Sequence, residues 1–287
     1  MKARIRPRRS ALYIPGSNPR ALEKARDLDA DCLILDLEDA VAPEAKELAR
    51  SEAAAAARAG YGKREVIIRT NGVETEWFKD DAAAVAGSNA DAVLLAKVES
   101  AESVNEALRQ LAAAGAPSEL PVWIMTETPR GVLDLDSILA GCPEIQVIVM
   151  GTSDLAKELR TPQTPDRSGL LHSLRHCLLT ARAHGLDIID GVHLALDDPD
   201  DFRTACQQGR NLGFDGKSLI HPRQIATANE IFGVSDAAAE DARAILQAWE
   251  QARNEGHGIT VLNDRLIEQL HVDEAERVLA LHAAANE

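Results

Sequence analysis

The chain has 287 residues, with 31 basic against 46 acidic side chains and a formal net charge of -15. That balance argues against nucleic acid as the main partner, and no apolar run approaches the ~20 residues a membrane-spanning helix needs. Hydrophobic residues are 45% of the chain and aromatic ones only 3%, so the core is built from Ala, Leu, Val and Ile, which suits parallel strands sheathed by helices.

The chain opens with MKARIRPRRS, which is basic but has no apolar stretch behind it. It reads as a solvated tail, or as a contact for a ligand phosphate or a neighbouring subunit, and not as a secretory signal. Apolar runs and helical stretches then alternate. The runs are ALYI (11–14), CLILDL (32–37), EVIIR (65–69), AVLLA (92–96), PVWIMT (121–126), QVIVMG (146–151), LDIIDG (186–191) and a weaker DGKSLI (215–220). Between them lie Ala-, Glu- and Arg-rich segments such as PEAKELARSEAAAAARAG, where Gly60 suits a helix stop. Eight strand candidates separated by helices predict a (β/α)8 TIM barrel over 10–232, with an open doubly wound sheet as the alternative. The segment 155–185 is long, and an extra loop is expected around Thr161–Gly169. After Ile220 come an eighth helix, a longer helix stopped by Gly256, a hairpin turning at Asn263-Asp264, and a last helix that Asp273 is placed to cap. This C-terminal extension, 235–287, is too small for a core of its own and is expected to pack as a lid on the barrel or on a neighbouring subunit. Cys32, Cys142, Cys177 and Cys206 show no CxxC spacing and read as free thiols of a reducing compartment, hence a cytoplasmic protein.

A parallel α/β barrel exposes its working residues where strands end. Strand one leads to Pro15-Gly16-Ser17-Asn18, either a plain capped turn or a place where ligand approaches the backbone. Strand two ends in Asp36, Glu38 and Asp39, three acids that need cations or hydrogen bonds unless the loop is solvated; they are read as orienting metal waters or a lysine. Strand three ends in Arg69, whose planar fork suits a carboxylate or enolate oxygen. Strand four ends in Lys97-Val98-Glu99, a structural ion pair or a catalytic group; neighbouring carboxylates oppose a Schiff-base role for Lys97. Strand five supplies Glu127, and strand six supplies Gly151-Thr152-Ser153-Asp154. One acid at a strand end is often a helix cap, but two on consecutive strands are hard oxygen ligands that suit Mg2+ better than Zn2+. His221, after strand eight, is a packing or capping histidine or a ligand contact.

The stretches LYIPGSNPR, LDLEDAVAPEAK, IIRTNG, LLAKVES, ETPRG, GTSDLA and GFDGKSLIHPRQI, in that order across 10–232, resemble the citrate lyase β-subunit and malyl-CoA lyase family of the phosphoenolpyruvate/pyruvate barrel group. The resemblance implies a Mg2+ site on Glu127 and Asp154, an oxyanion-binding Arg69, and substrate contacts at Pro15, Gly151, Thr152 and Asp154. Asp36, Glu38, Asp39 and Lys97 stand around them. It also implies an acyl-CoA and a small 2-oxo acid as reactants, and retro-Claisen cleavage of a 3-hydroxyacyl-CoA. Relatives place a general-acid aspartate in a C-terminal motif like I-D-x-P; here the stretch reads Ile267-Glu268-Gln269-Leu270, so Glu268 takes that place and the proline is lost. Ala96 stands where relatives often carry proline. Thioester hydrolysis on the same scaffold, and a citrate lyase β-subunit acting on a carrier-protein thioester, are the alternatives. By family analogy the assembly is a homotrimer or homohexamer.

Overall fold

Strict inside–outside alternation in the apolar runs produces a closed barrel. The structure, a computed structural model, describes residues 6–286, so residues 1–5 of the basic N-terminal segment lie outside the described residues, while Arg8 and Arg9 are not solvated as a tail would be but pair with Glu65 and Asp31. The strands are β1 (Ser10–Pro15), β2 (Cys32–Asp36), β3 (Glu65–Thr70), β4 (Ala92–Leu95), β5 (Val122–Thr126), β6 (Ile145–Met150), β7 (Asp187–Asp190) and β8 (Gly216–Leu219). They pair in parallel in sequential order, and β8 pairs back on β1. Closure rules out the open sheet.

The outer layer is α1 (Pro19–Lys24), α2 (Lys46–Ala59), α3 (Phe78–Ala86), α4 (Ala101–Ala113), α5 (Pro129–Leu133), α6 (Leu135–Gly141), α7 (Thr152–Glu158), α8 (Leu171–Ala183), α9 (Pro199–Leu212) and α10 (Ile225–Phe232). Local chemistry sets their ends. The side chains of Asn18, Ser100 and Thr128 accept amide hydrogen bonds that start α1, α4 and α5. At the far end of α2, Gly60 takes φ 78°, a conformation costly for a residue with a Cβ. Within α2, Ala49, Ala53, Ala54 and Ala57 form one buried face, so the alanine run is a packing surface. The expected loop follows α7, between Leu159 and Leu170.

Inside the barrel, Ala11, Cys32, Ile34, Ile67, Ala92, Leu94, Trp123, Met125, Val147, Val149 and Ile189 pack together, with Tyr13 against them. Period two then predicts the next inward positions: Asp36 beyond Ile34, Arg69 beyond Ile67, and Glu127 beyond Met125. All three are buried. The same alternation that fills the core therefore puts charge at its upper, C-terminal end. At the lower end Arg8 lies 5.3 Å over the Trp123 ring and pairs with Glu65 at 2.7 Å.

The chain divides into two compact units, the barrel Arg8–Ile231 and a second unit built mainly from Phe232 onward. The second unit holds α11 (Asp236–Asn254), an antiparallel hairpin of β9 (Thr260–Leu262) and β10 (Arg265–Ile267), and α12 (Gln269–Asn286). Asn263 and Asp264 both take positive φ (49° and 60°), as a two-residue hairpin turn requires. Two expectations fail here. Asp273 does not cap the last helix: the Glu268 carbonyl accepts from the His271 amide at 2.9 Å, so α12 has already begun when Asp273 is reached. The extension also has a small core of its own, in which Ala242, Ile245, Trp249, Ile267, Val272 and Ala275 are buried. Helix-to-helix packing of α11 on α12 supplies that burial, which hydropathy of either helix alone does not reveal.

Candidate active site

The charged layer at the barrel mouth begins with Arg69. Asp36 and Arg69 are cross-strand partners in the β2–β3 register. Arg69 Nε and Nη2 each donate to Asp36 at 2.6 Å, a bidentate fork. Burial disfavours the guanidinium charge, but Asp36, Tyr13 and Glu38 more than offset that and keep Arg69 firmly protonated. Tyr13 lies beneath, its ring 4.8 Å from the guanidinium carbon, so Arg69 is clamped from below and from one side. Nη1 is left facing Glu38 Oε2 at 2.7 Å, an ion-pair distance without hydrogen-bond alignment. Burial pushes the Glu38 carboxyl up to about 8 despite Arg69, and the charges of Glu127 and Asp39 reinforce that. Asp39 is mostly exposed and 3.7 Å from Arg69.

The second half of the site lies on β4, β5 and β6. Lys97 follows β4 with φ 54°, a left-handed conformation uncommon outside glycine. Its amide donates to Glu127 Oε1 at 2.8 Å, and its ammonium lies 3.6 Å from Glu127 Oε2 while pairing directly with Asp154. Glu99, the expected partner of Lys97, is not its partner; adjacency of β4, β5 and β6 brings Glu127 and Asp154 closer than chain neighbours can come. Burial raises the Glu127 carboxyl above the ordinary range, against the Lys97 ammonium and amide. Gly151 makes room: a Cβ there would sit 2.3 Å from Glu127 Cβ and 2.6 Å from Oε2. Asp154 is not a helix cap, because α7 starts at Thr152 and Asp154 is its third residue.

Loops beside this layer are tied down by buried polar groups that sequence reading missed. Lys46, only 5% exposed, donates to the Leu37 and Glu38 carbonyls at 2.6 and 2.8 Å and to Asn71 Oδ1 at 2.7 Å. Burial lowers its proton affinity. Asn71 in turn is held by Asp81, and Asp81 by Arg50. A cleft of about 580 Å³ opens here, lined by Glu38, Asp39, Lys46, Trp77, Lys97 and Glu99 among others. Period two from Ala11 would have flagged Tyr13 as inward; nothing local flags Lys46, whose partners come from two other strand ends.

A third network closes the mouth at β7 and β8. Asp190 is fully buried and accepts from Arg167 at 2.7 and 2.8 Å and from Lys217 at 2.9 Å. Burial alone would raise its carboxyl, but Lys217 and Arg167 hold it below the usual range. Arg167 comes from the long loop after α7, so this ion pair ties that loop to the barrel. Of the other expected site residues, Pro15 ends β1 half-buried, and Gly151 and Thr152 open α7 with Thr152 buried. His221 is a cap: its Nδ1 accepts from the Arg223 amide at 3.1 Å in a capping box. Glu268 lies in the second unit, exposed, with its amide donating to His271 Nδ1.

Glu127 and Asp154 already converge on one cation, the Lys97 ammonium. Among the described residues no group of three or more His, Cys, Asp or Glu side chains is arranged to hold a metal. Two carboxylates with open positions fit Mg2+, which keeps waters and substrate oxygens in its shell, better than an all-protein cage.

The HpcH/HpaI aldolase/citrate lyase model matches residues 9–222. The chain belongs to the HpcH/HpaI aldolase/citrate lyase family. Within it, the chain is 47% identical over 281 residues to a Cereibacter sphaeroides protein named (3S)-malyl-CoA thioesterase, covering 98% of this chain and 96% of that one. It is 32% identical over 300 residues to L-malyl-CoA/beta-methylmalyl-CoA lyase of the same species, covering 96% and 94%. The structure of CitE from Mycobacterium tuberculosis in complex with magnesium, acetoacetate and coenzyme A matches with a TM-score of 0.76 at 28% identity, covering 99% of this chain and all of that one. The chain is thus an enzyme of the citrate lyase β type on a TIM barrel.

Proposed function

We propose that this enzyme hydrolyses a malyl-CoA-type thioester, a 3-hydroxyacyl-CoA whose 3-carbon bears a carboxylate, with Mg2+ held by Glu127 and Asp154. The observation that carries the reading is the convergence of those two carboxylates on one cation beside the clamped Arg69. Bound Mg2+ would supply Lewis-acid polarisation of the substrate hydroxyl and carboxylate oxygens. Arg69 is fixed by Asp36 and Tyr13, and its Nη1, which lies against Glu38 Oε2 and Met125 Sδ, is the arm that would turn to meet charge developing on the thioester oxygen. Glu38, with a proton affinity near neutral pH, is the group suited to take a proton from the attacking water. Gly151 and Thr152 line the entrance of α7, and Pro15 the end of β1, as substrate contacts.

Hydrolysis is favoured over cleavage by the 47% identity to a thioesterase and by Glu268 standing where lyases carry aspartate. A lyase is the second reading, supported by the 32% identity to a malyl-CoA lyase. In it Glu268 is the general acid that protonates the enolate carbon, and a 2-oxo acid leaves. For either reaction, the extension 235–287 acts as a lid in a homotrimer or homohexamer. Incubation with Mg2+ and (3S)-malyl-CoA, following free thiol, malate and glyoxylate separately, decides between them. Thiol with malate is the expected outcome; glyoxylate with acetyl-CoA selects the lyase; no product from malyl-CoA or methyl-branched homologues overturns both.

A further inference from the structure

Lys97 touches Glu127 twice, through its amide and its ammonium, and Asp154 once. The backbone at Lys97 is left-handed, and its amide and side chain converge on the same carboxylate. The two contacts do different things. The amide holds Glu127 Oε1 at 2.8 Å whatever the side chain does, so it orients the carboxylate. The ammonium sits between the two acids and offsets one of their two charges. An ion coordinated by both carboxylates would need the same oxygens and would lie within a few ångströms of the ammonium, where two cations repel strongly in a partly buried site.

We propose that Lys97 is an internal counter-ion that competes with the divalent cation for Glu127 and Asp154 and turns into the neighbouring cleft when the cation binds. This rests on reading Glu127 and Asp154 as the metal pair. The cleft supplies the alternative partners: Lys97 lines it together with Glu38, Asp39 and Glu99. Glu38 Oε2 is buried without an aligned hydrogen bond, with only the Arg69 Nη1 ion pair at 2.7 Å, and the exposed Asp39 carboxylate is a second acceptor for the ammonium after that movement. The device has two consequences. It keeps two mutually repelling acids apart and oriented before the ion arrives, and it sets a threshold that a monovalent cation does not cross, since replacing one single charge by another brings no electrostatic gain.

The test is Mg2+ binding without substrate, by calorimetry, together with thermal unfolding with and without Mg2+, for the full chain and the variants Lys97→Met, Lys97→Gln, Lys97→Arg and Asp154→Asn. Met and Gln bear the same left-handed backbone cost as Lys, so the comparison isolates the charge. Lys97→Met and Lys97→Gln are expected to bind Mg2+ roughly ten-fold or more tightly than the native chain, because one repelling charge is gone. They should also melt lower in chelator and gain more from Mg2+. Lys97→Arg should bind no more tightly than the native chain. Equal or weaker Mg2+ binding by both neutral variants, while Asp154→Asn abolishes binding, overturns the counter-ion and leaves the metal pair standing. Mg2+ uptake by none of the proteins overturns the metal pair and the counter-ion together. Uptake by the neutral variants but not by the native chain is the proposal's strongest form.

Discussion

At the barrel mouth, single carboxyl groups are placed where burial and charge work against each other. Glu38 is the sharpest case. Its folded carboxyl sits at about 8, above the ~4.3 of an unfolded glutamate, so the folded state holds that proton more tightly. The resulting stability is present at low pH and is lost as pH rises through about 8. Glu38→Gln in chelator should therefore gain stability over the native chain at pH ~9 relative to pH ~6, read as the difference in melting temperature. Equal differences at both pH values would show that Glu38 ionises normally. Gly151 is a second test at this scale. The backbone at Gly151, with φ of -91°, suits any residue, but an added methyl would sit 2.3 Å from Glu127 Cβ, which no rotamer change can move, so Glu127 itself must be displaced. Gly151→Ala should therefore lower the melting temperature and weaken Mg2+ by roughly ten-fold or more, as misplacing a ligand does; unchanged binding would separate Glu127 from the metal.

The elements differ in how their partners are chosen. Strand β2 and strand β3 align Asp36 with Arg69 by register, so a one-residue slip would dissolve the pair and invert the core. The loop after α7 is held instead by side chains, Arg167 on Asp190 at the end of β7 and Gln208 of α9 on Arg167 and the Asp166 carbonyl. Because Asp190 is held below the ordinary range by Lys217 and Arg167 against its own burial, its contribution exists above an unfolded pKa of ~3.9 and fades as pH falls. Asp190→Asn leaves Lys217 buried without its counter-charge and should cost ~3–5 kcal/mol in denaturant unfolding at neutral pH. A loss under ~1 kcal/mol would mark the pair as dispensable. Proteolysis should then begin in 161–169, the segment Arg167 anchors.

For the molecule as a whole, closure of the barrel and loading of its mouth are separate events. Closure needs Gly216: a Cβ there would lie 1.8 Å from the Arg8 carbonyl, where β8 comes alongside β1. Loading depends on pH. Burial raises the Glu127 carboxyl, and a protonated carboxyl does not ligate, so Mg2+ affinity should increase with pH as that carboxyl ionises, with release of protons on binding. Calorimetry in buffers of different ionisation enthalpy measures that release; a pH-independent affinity would contradict it.

The alternation of apolar runs with helical stretches determined the barrel, its eight strands and the position of Asp36, Arg69 and Glu127 at strand ends, because strand and helix patterns are local in the chain. Gly60 and the Asn263-Asp264 turn were legible for the same reason, since their backbone angles depend on the residue itself. Tertiary structure alone decided which acid each cation meets. Lys97 lies beside Glu99 in the chain, yet it pairs with Glu127 and Asp154, because closing the sheet sets three successive strand ends side by side. Lys46 and Arg167 reach partners on strands far away in sequence, and the buried charge that raises Glu38 and Glu127 arises only once those strand ends share one solvent-poor mouth.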